Sequence, residues 1–402
     1  DSASFARPIR WLVSLQGRDV LPFTYAGLES GRVSRGLRSL GGQPLPIMQA
    51  ADYPVLMAKH QIMIRTTERR DVIAMEAQRL ASEVGGGIPD DPVLLFEVAN
   101  LVEKPTVFRG GFEPQYLELP QEVLVSVMKE HQRYFPVVED GELLPFFIGV
   151  RNGDIEHLDL VVEGNEHVIH ARFADASYFV REDLKQPLSA FRPKLALLTF
   201  QDQLGSMLDK SERIERLTGE MAPLLGMDES ETETALRTSY LAKADLATQM
   251  VVEMTSLQGV MGREYALRSG EKPDVARAIE EHYWPRGAGD AIPETNAGLA
   301  VGLADRLDSL VGMFAAGLAP SGSSDPFGLR RAALGIVQVL LGKAISFDLH
   351  LGLQAAAQLQ PIGVDDAVLV EVEAFIARRL RVVLREDGYG HDVIEAALAS
   401  HG

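Results

Sequence analysis

The segment from Val127 to Val137 combines two cationic side chains, a histidine, a carboxylate, an amide and two aromatic rings between apolar flanks. In an extended conformation Lys129, His131 and Arg133 share one face, because side chains alternate along a strand. Such a row suits phosphate or a ribose edge, and Tyr134 can anchor it or stack on a base. The alternative is a structural hydrogen-bond network that joins this domain to the next. The candidate residues for either role, including two from the turn downstream, are Lys129, His131, Gln132, Arg133, Tyr134, Arg151 and Asn152.

A second constellation, Asp245, His282 and Asp305, is spread over three consecutive predicted helices. A helical metal-dependent phosphohydrolase places its ligands this way, but it also needs an earlier histidine and an adjacent His-Asp pair. Ala244 precedes Asp245, and no histidine occurs between His170 and His282. One imidazole is too few for a stable divalent site. We therefore expect no bound metal, a hydrogen-bonded core histidine, and aspartates paired with polar neighbours.

Two smaller groups of polar residues leave alternatives open. The densest group of histidines is either an open metal site or a set of solvated and packing residues. A turn-rich segment near the start of the chain has arginines at a spacing of three, which form either a solvated basic loop or phosphate contacts. The histidines are His157, His167 and His170, and the arginines are Arg32, Arg35 and Arg38.

Several motifs of well-known catalytic chemistry are missing from the sequence. It contains no Gly-x-Ser-x-Gly elbow, no Walker loop and no dinucleotide-binding glycine pattern. It contains no cysteine, which excludes disulfides and thiolate metal sites. The three glycines at 85–87 are not followed by a Lys-Ser/Thr pair and are interpreted as a helix end. We therefore predict no catalytic residue, no metal and no cofactor held by this chain.

The composition is that of a globular protein with two or three domains. Its 402 residues exceed one typical core, and 46% of them are hydrophobic. The net charge of −18 argues against bulk attraction of nucleic acid, although a local basic patch is compatible with it. No apolar run approaches the ~18 residues of a membrane helix, and no secretory leader is visible. We expect a cytoplasmic protein without membrane contact and, because the sequence begins at Asp1, a fragment.

The first part of the chain is predicted to form an α+β domain. Apolar residues alternate from Ile9 to Leu21, as they do in a strand. The candidate segment at 127–137 then lies where a helix ends and a strand begins. Helices are predicted over 52–59, 68–84 and 120–130, and strands over 93–95, 102–108 and 143–150.

After a turn at 151–154 the chain is predicted to be helical throughout. Apolar residues step by three and four from Tyr240 to Met254, which predicts one helix. Another helix begins at Pro273, a third is capped by Asn296, and Asp325-Pro326 is typical of an N-cap and first turn. The expected fold class is an α+β domain followed by an all-α domain. The expected domain limits are 1–155, 156–360 and 361–402, the last range being the start of a further helical region.

Short runs of distinctive residue types are distributed along most of the chain. They are Arg7–Trp11, Met128–Val137, Phe147–Gly153, Glu163–Glu166, Ala174–Ala176, Lys243–Leu246, Glu281–Tyr283, Ala304–Asp308 and Asp325–Phe327. In order and approximate spacing they resemble the beta subunit of the bacterial two-subunit glycyl-tRNA synthetase. One run is ten residues long and mixes histidine, aromatic and charged positions, so the resemblance is specific.

The resemblance implies a tRNA-binding and assembly subunit of glycine–tRNA ligase. In that enzyme the alpha subunit, or a fused alpha portion, uses ATP and Mg²⁺ to activate glycine. The implied partners are the alpha subunit and tRNA(Gly), in a hetero-oligomer. The resemblance also implies that the α+β domain is similar to the editing-type domain of the phenylalanyl-tRNA synthetase beta subunit and that the helical domain is HD-type. Residues 361–402 would begin a tRNA-binding region that is truncated in this sequence.

The sequence departs from the family pattern in three respects. Histidines of an HD-type domain are missing, so Asp245, His282 and Asp305 are interpreted as the remnant of a metal site. Gly36–Ser39 stands where a Gly-His-Arg-Phe run is common in the family. No water-activating set is recognisable in 1–155, so editing is not inferred. Two alternative functions stay open, a degenerate or active HD-type metal phosphohydrolase and a purely structural module.

Overall fold

The computed structural model describes residues 9–287 and 289–399. Arg7 and Pro8, the start of one family-like run, lie outside the described residues. The chain divides into two compact units, the first ending at Ser177 and the second beginning at Tyr178. The domain limits expected after residues 155 and 360 stay predictions. Within the described ranges, no helix is long and apolar enough to cross a membrane.

Short strands are the main regular elements of residues 9–48, and helices dominate the second half of the chain. The strands are β1 (Leu12–Val13), β2 (Leu15–Gln16), β3 (Asp19–Val20), β4 (Thr24–Tyr25), β5 (Leu28–Gly31), β6 (Val33–Arg35), β7 (Pro44–Pro46), β8 (Pro105–Gly111), β9 (Phe135–Glu139), β10 (Glu142–Asn152), β11 (Thr199–Gln201) and β12 (Gly205–Ser206). The α-helices are α1 (Tyr53–Lys59), α2 (Thr66–Ser82), α3 (Pro92–Leu101), α4 (Gln121–Ser126), α5 (Leu158–Asp183), α6 (Met207–Leu224), α7 (Glu229–Leu241), α8 (Gln249–Glu253), α9 (Val260–Arg268), α10 (Pro273–Glu281), α11 (Asn296–Ala315), α12 (Leu329–Gly342), α13 (Leu349–Gln358), α14 (Asp366–Glu386) and α15 (His391–Ala399). A π-helix covers Val127–Gln132, and 3₁₀ segments cover Arg38–Leu40, Ala50–Asp52, Pro114–Glu118, Leu188–Leu197, Ala244–Ala247 and Thr255–Leu257.

A three-stranded antiparallel sheet with the order β8-β10-β9 lies at the centre of the first unit. Side chains alternate along β10, so its neighbouring residues face opposite sides. Ile148 packs with Ile73 in the core that α2 and α3 share with the sheet. Phe147 faces the other side, where α5 brings the Phe173 ring to 4.9 Å from that of Phe112, centroid to centroid. The sheet is therefore covered by helices on both faces.

The residues before α1 form a separate set of short strands. β1 pairs parallel with β5, which also pairs antiparallel with β4. The pairs β2-β3 and β6-β7 are small antiparallel ladders. Leu37, Leu45 and Ile47 are buried among them, which gives this arginine-bearing segment a small core of its own.

The second unit is built around α11. Nearly every residue of this helix from Ala297 to Phe314 is buried, including the charged Arg306 and Asp308. Its apolar side chains join those of α6, α12, α13 and α14 in one core. α6 begins with a reciprocal capping box between Ser206 and Asp209, which fixes where the helix starts.

Several predicted elements are confirmed. The helices expected over 52–59 and 68–84 correspond to α1 and α2, and the strand expected over 143–150 lies within β10. α10 begins at Pro273 as predicted. The glycine triplet follows the end of α2, with Gly85 in the left-handed region at φ 81°.

The strand predicted at 93–95 is wrong, because these residues belong to α3. The Asp91 carboxylate accepts a hydrogen bond from the Leu94 N–H at 2.9 Å, and Pro92 occupies the first turn. This N-cap and proline outweigh the strand preference of the apolar residues. The strand predicted at 102–108 is displaced, since β8 begins only at Pro105.

The single helix predicted from Tyr240 to Met254 is also wrong. α7 ends at Leu241, and Lys243 has a left-handed backbone with φ 69°. A 3₁₀ turn follows before α8 begins. The break turns both Lys243 and Asp245 into the interior of the unit, where they are buried.

Two predicted caps are shifted, and one β element was missed. Thr295, not Asn296, caps α11 by accepting a hydrogen bond from a first-turn N–H. The Asp325 carboxylate does accept a hydrogen bond from the Leu329 N–H at 2.9 Å, but α12 begins at Leu329, so Pro326 lies before the helix. The pair β11-β12 interrupts the region predicted to be entirely helical.

Candidate functional site

The candidate segment at 127–137 is helical before it becomes extended. α4 passes directly into the π-helix, and β9 begins only at Phe135. The prediction that Lys129, His131 and Arg133 alternate on one extended face is therefore wrong. Apolar side chains at helical spacing hold the chain in the helix up to this point. These buried residues are Val123, Leu124, Val127 and Met128.

Both cations of the segment pair with carboxylates at or near α3. The Lys129 ammonium group contacts the Asp91 carboxylate, and Nε of Arg133 lies 2.6 Å from Oε1 of Glu97. Burial by itself raises the pKa of Asp91, but the hydrogen bond from the Leu94 N–H and the Lys129 charge outweigh it and lower that pKa. The two ion pairs hold α3 against the π-helix.

Tyr134 is buried and stacks on Phe147, with 4.4 Å between ring centroids and 18° between ring planes. Its hydroxyl donates a hydrogen bond to Oδ1 of Asn165 on α5. Burial raises the pKa of Tyr134 to about 12, so the hydroxyl stays protonated and remains a donor at neutral pH. The ring anchors the segment inside the first unit and does not present a free face to a base.

Arg151 and Asn152 close the turn after β10. The Arg151 guanidinium donates to the Glu156 carbonyl at 2.6 Å. The Asn152 side-chain oxygen accepts from the N–H groups of Glu103 and Lys104, both at 3.0 Å. These bonds satisfy the backbone where the chain enters β8, which is a structural role. Among the described residues, no hydrogen bond or ion pair joins this turn to the cations of the π-helix.

His131 and Gln132 remain as the members of the candidate set without a structural assignment. The His131 side chain is exposed and the Gln132 side chain is half-buried. Neither forms a side-chain hydrogen bond or ion pair with another residue in the described part of the chain. A contact of these two residues with nucleic acid stays a prediction.

The second constellation surrounds a buried lysine. Nζ of Lys243 lies 2.6 Å from Oδ2 of Asp305, and Nζ of Lys210 lies 2.9 Å from Oδ1 of the same carboxylate. The charge of Lys243 also acts on Asp245 and His282. Burial alone raises the pKa of Asp305, but the two ammonium groups outweigh it and hold the pKa well below its ordinary value. The structure therefore brings Asp245, His282 and Asp305 together around a cation that belongs to the protein.

Asp245 and His282 each have one satisfied polar atom and one that is not. Oδ2 of Asp245 accepts a hydrogen bond from the Gly259 N–H at 2.6 Å, and Nδ1 of His282 donates to the Ile279 carbonyl. Oδ1 of Asp245, Nε2 of His282 and the hydroxyl of Tyr283 are buried without a hydrogen-bond partner among the described residues. Burial raises the pKa of Asp245 and lowers that of His282 well below its ordinary value.

The residues present do not fit the divalent metal of an HD-type hydrolase. Both oxygens of Asp305 already face ammonium groups, and two lysine charges repel a dication at short range. In the part of the chain that the structure describes, no group of three or more histidine, aspartate or glutamate side chains is placed to hold a metal ion. The expected pairing of Asp305 with polar neighbours is confirmed, and its partners are lysines.

The pH dependence of stability is expected to report on His282. The folded protein keeps this imidazole neutral, whereas the unfolded chain protonates it below its ordinary pKa of roughly 6.5. Because the folded pKa of His282 lies below the unfolded one, protonation favours the unfolded chain. The free energy of unfolding therefore falls as the pH drops from roughly 6.5 towards the folded pKa, by about 1.4 kcal/mol per pH unit at most. Replacing His282 with asparagine, which can still donate to the Ile279 carbonyl, should make the urea-unfolding free energy fall less between neutral and mildly acidic pH. The exposed His157→Asn variant is the control, and identical pH profiles for wild type and His282→Asn would contradict the expectation.

The histidine group lies along and before α5. Nδ1 of His170 is 2.8 Å from Oε1 of Glu113, and this partner lowers the pKa of the carboxyl. Nδ1 of His167 donates to the carbonyl of Glu163, four residues earlier. His157 is exposed and precedes the helix with a positive φ of 54°. These contacts are of the solvated and packing type rather than those of a shared ligand site.

Sequence reasoning missed the basic members of the buried cluster. Besides Lys210 and Lys243, Nε of Arg213 lies 2.6 Å from Oδ1 of Asp308. The sequence did contain an indication of the buried Lys210, which lies four residues before the buried Ile214 and therefore on the same face of α6. A lysine in such an apolar stripe indicates a buried carboxylate partner on another helix.

Comparisons with known proteins assign the chain to the aminoacyl-tRNA synthetases, as a subunit. A family model described as glycyl-tRNA synthetase beta subunit matches residues 1–399. The glycine–tRNA ligase beta subunits of Desulforudis audaxviator and Clostridioides difficile are 46% and 43% identical over 98% of this chain. A chloroplastic/mitochondrial glycine–tRNA ligase of Arabidopsis thaliana is 42% identical over 100% of this chain and 38% of its own length. The chain belongs to the glycyl-tRNA synthetase beta subunit family, and it spans 58% of the length of the bacterial relatives.

Proposed function

We propose that this chain is the part of a glycine–tRNA ligase beta subunit that binds tRNA(Gly) and assembles with the alpha subunit. The observation that carries the proposal is the family match, which covers residues 1–399. In this proposal ATP, Mg²⁺ and glycine are handled by the alpha subunit or a fused alpha portion. The chain then contributes binding and assembly, and holds no complete active site of its own.

The buried cluster of the second unit supports a role without hydrolysis. A phosphohydrolase needs a metal-bound or otherwise activated water, and here lysine ammonium groups occupy both oxygens of Asp305. His282 is buried with only one of its nitrogens bonded, and its neutral form is favoured. The cluster therefore favours a structural centre of an HD-type domain over the alternative of a metal phosphohydrolase. The likeness of the first unit to an editing-type domain is a proposal of fold alone.

Binding of labelled tRNA(Gly) by the purified chain, with and without the alpha subunit, tests the proposed function. We expect measurable binding that weakens steeply between about 50 and 200 mM salt, because phosphate contacts release counterions. The alpha subunit should raise the affinity, and the alpha subunit alone is the control. If tRNA(Gly) binds neither to the chain nor to its mixture with the alpha subunit, the RNA-binding role is wrong and the purely structural alternative stands.

A further inference from the structure

The segment before α1 is basic although the whole chain is acidic. Residues 9–48 contain five arginines and two acidic residues, a net charge of +3, whereas the chain as a whole carries −18. The arginines are Arg10, Arg18, Arg32, Arg35 and Arg38. This local reversal of sign matters because attraction of a polyanion acts through the nearest charges within about 10 Å at ordinary ionic strength.

In the part of the chain that the structure describes, these arginines have no carboxylate as an ion-pair partner. Within residues 9–287 and 289–399, none of the five forms an ion pair, unlike Lys129 and Arg133. Arg32 donates to the Arg18 carbonyl at 3.0 Å, and Arg35 donates to the Gly42 carbonyl at 3.3 Å. Such bonds orient the guanidinium groups but leave their charge and most of their donors available.

Three of the arginines line one cavity together with an exposed tryptophan. The cavity has a volume of about 930 Å³ and is bounded by Arg10, Arg35, Arg38 and Trp11, with Glu103 at one side. The Trp11 ring is 41% exposed, and the Arg35 guanidinium carbon lies 5.8 Å from its centroid. Trp11 is also part of the wall of a neighbouring cavity of about 480 Å³. The indole thus separates two open cavities beside unpaired positive charge.

This combination has a specific chemical use. Unpaired guanidinium groups bind phosphates, and an exposed indole stacks on a base whose face is free. The bases of an RNA duplex are already stacked on one another, so the indole can serve only an unpaired nucleotide. Glu103 supplies an acceptor for the amino edge of that base, while its other bond, from the Asn152 amide at 3.1 Å, holds its carboxylate in place.

We infer that the surface formed by Arg10, Trp11, Arg35 and Arg38, called here the arginine–tryptophan surface, binds a single-stranded segment of RNA. The inference rests on the proposed function, and it names the part of this chain that contacts the RNA and the conformation that the RNA must have there. The glycines at 41 and 42, which have positive φ, form part of the cavity wall, and among the described residues no atom lies within 4 Å of the position of a Cβ at Gly41, so a sugar–phosphate backbone can approach closely there.

Binding of an unstructured RNA oligonucleotide of about ten nucleotides, compared with a blunt-ended RNA duplex and with tRNA(Gly), tests the inference. We expect Trp11→Ala to weaken binding of the oligonucleotide and of tRNA(Gly) by roughly 5- to 150-fold, and Trp11→Phe to restore most of it. The double variant Arg35→Ala/Arg38→Ala should reduce the slope of log affinity against log salt by about 1.4. Arg268→Ala, an exposed arginine of α9, is the matched control and should leave both quantities unchanged.

The outcomes separate this inference from the proposed function. If the wild-type chain binds tRNA(Gly) but the folded Arg35→Ala/Arg38→Ala variant binds equally well, the arginine–tryptophan surface is wrong and the proposed function stands. Equal binding of the duplex and the oligonucleotide overturns the single-stranded preference. If the wild type binds no RNA, alone or with the alpha subunit, both proposals fail. The side chains of Arg35 and Arg38 are both exposed, so the Arg35→Ala/Arg38→Ala variant is expected to fold. It therefore tests the surface even if Trp11→Ala misfolds.

Discussion

Replacing Asp305 with asparagine is expected to lower the free energy of unfolding by about 3–5 kcal/mol, which is the usual cost of leaving a buried charge without its partner. Both oxygens of this carboxylate are engaged, one by Lys210 and one by Lys243. In the variant Lys210 keeps the carboxylate of Asp308 at 2.9 Å. Lys243 loses its carboxylate contact at 2.6 Å and keeps the attraction of the Asp245 charge and the ring of Tyr283, 3.9 Å from its ammonium group. The loss of stability is therefore expected to arise mainly from the Lys243 charge.

Urea unfolding followed by the emission of Trp284, in a Trp11→Phe background, measures this loss in the unit that contains the cluster. Asp202→Asn is the matched control, because it makes the same chemical change on an exposed turn. Adding Lys243→Met to Asp305→Asn removes the unpaired charge and should recover part of the lost stability, since a buried ion pair is often replaceable by apolar groups. A loss for Asp305→Asn no greater than for Asp202→Asn would show that this cluster does not hold the unit together.

The acidic half of this cluster was predictable from the sequence, and its basic half was not. Asp245, His282 and Asp305 lie on three consecutive predicted helices, which is how a helical metal phosphohydrolase places its ligands, and this was enough to single them out. Which cations face them depends on how α6 packs against α11, and helical periodicity within one segment does not specify that. The burial of Lys243 was harder still to predict. Its left-handed backbone interrupts a stretch whose apolar spacing predicts one continuous helix.

The segment at 127–137 also has partners that local sequence patterns could not predict. Its residue types suggested a binding strip, and the position between a helix and a strand was correct. Its partners Asp91 and Glu97 lie more than thirty residues earlier in the chain. Glu97 belongs to α3 and Asp91 caps it. Because α3 was partly predicted as a strand, these two side chains could not be placed beside the segment. Pairing across elements is a tertiary effect that overrides local preference.

Replacing Phe147 with alanine is expected to cost about 3–5 kcal/mol, the range for removing a fully buried aromatic ring. Phe147 is completely buried, stacks on Tyr134 at 4.4 Å and meets the Phe108 ring edge-on at 6.5 Å. Its ring also covers Gly110 on the neighbouring strand, where an added Cβ would lie 2.3 Å from Cζ of the phenylalanine. Because the ring is fully buried and packs on Tyr134, Phe108 and Gly110, its removal leaves a cavity among these residues.

The loss of stability should extend to the candidate segment at 127–137, because its Tyr134 is held between the Phe147 ring and the Asn165 side chain on α5. Urea unfolding followed by far-ultraviolet circular dichroism gives the stability, and Phe96→Ala on the exposed side of α3 is the control, because that ring is 55% exposed. Phe147→Leu retains much of the volume and should lose less than Phe147→Ala. If Phe147→Ala is no less stable than Phe96→Ala, the stacked pair is not what anchors the segment to the sheet. A large loss, by contrast, means that packing of Tyr134 on Phe147 anchors this segment to the sheet.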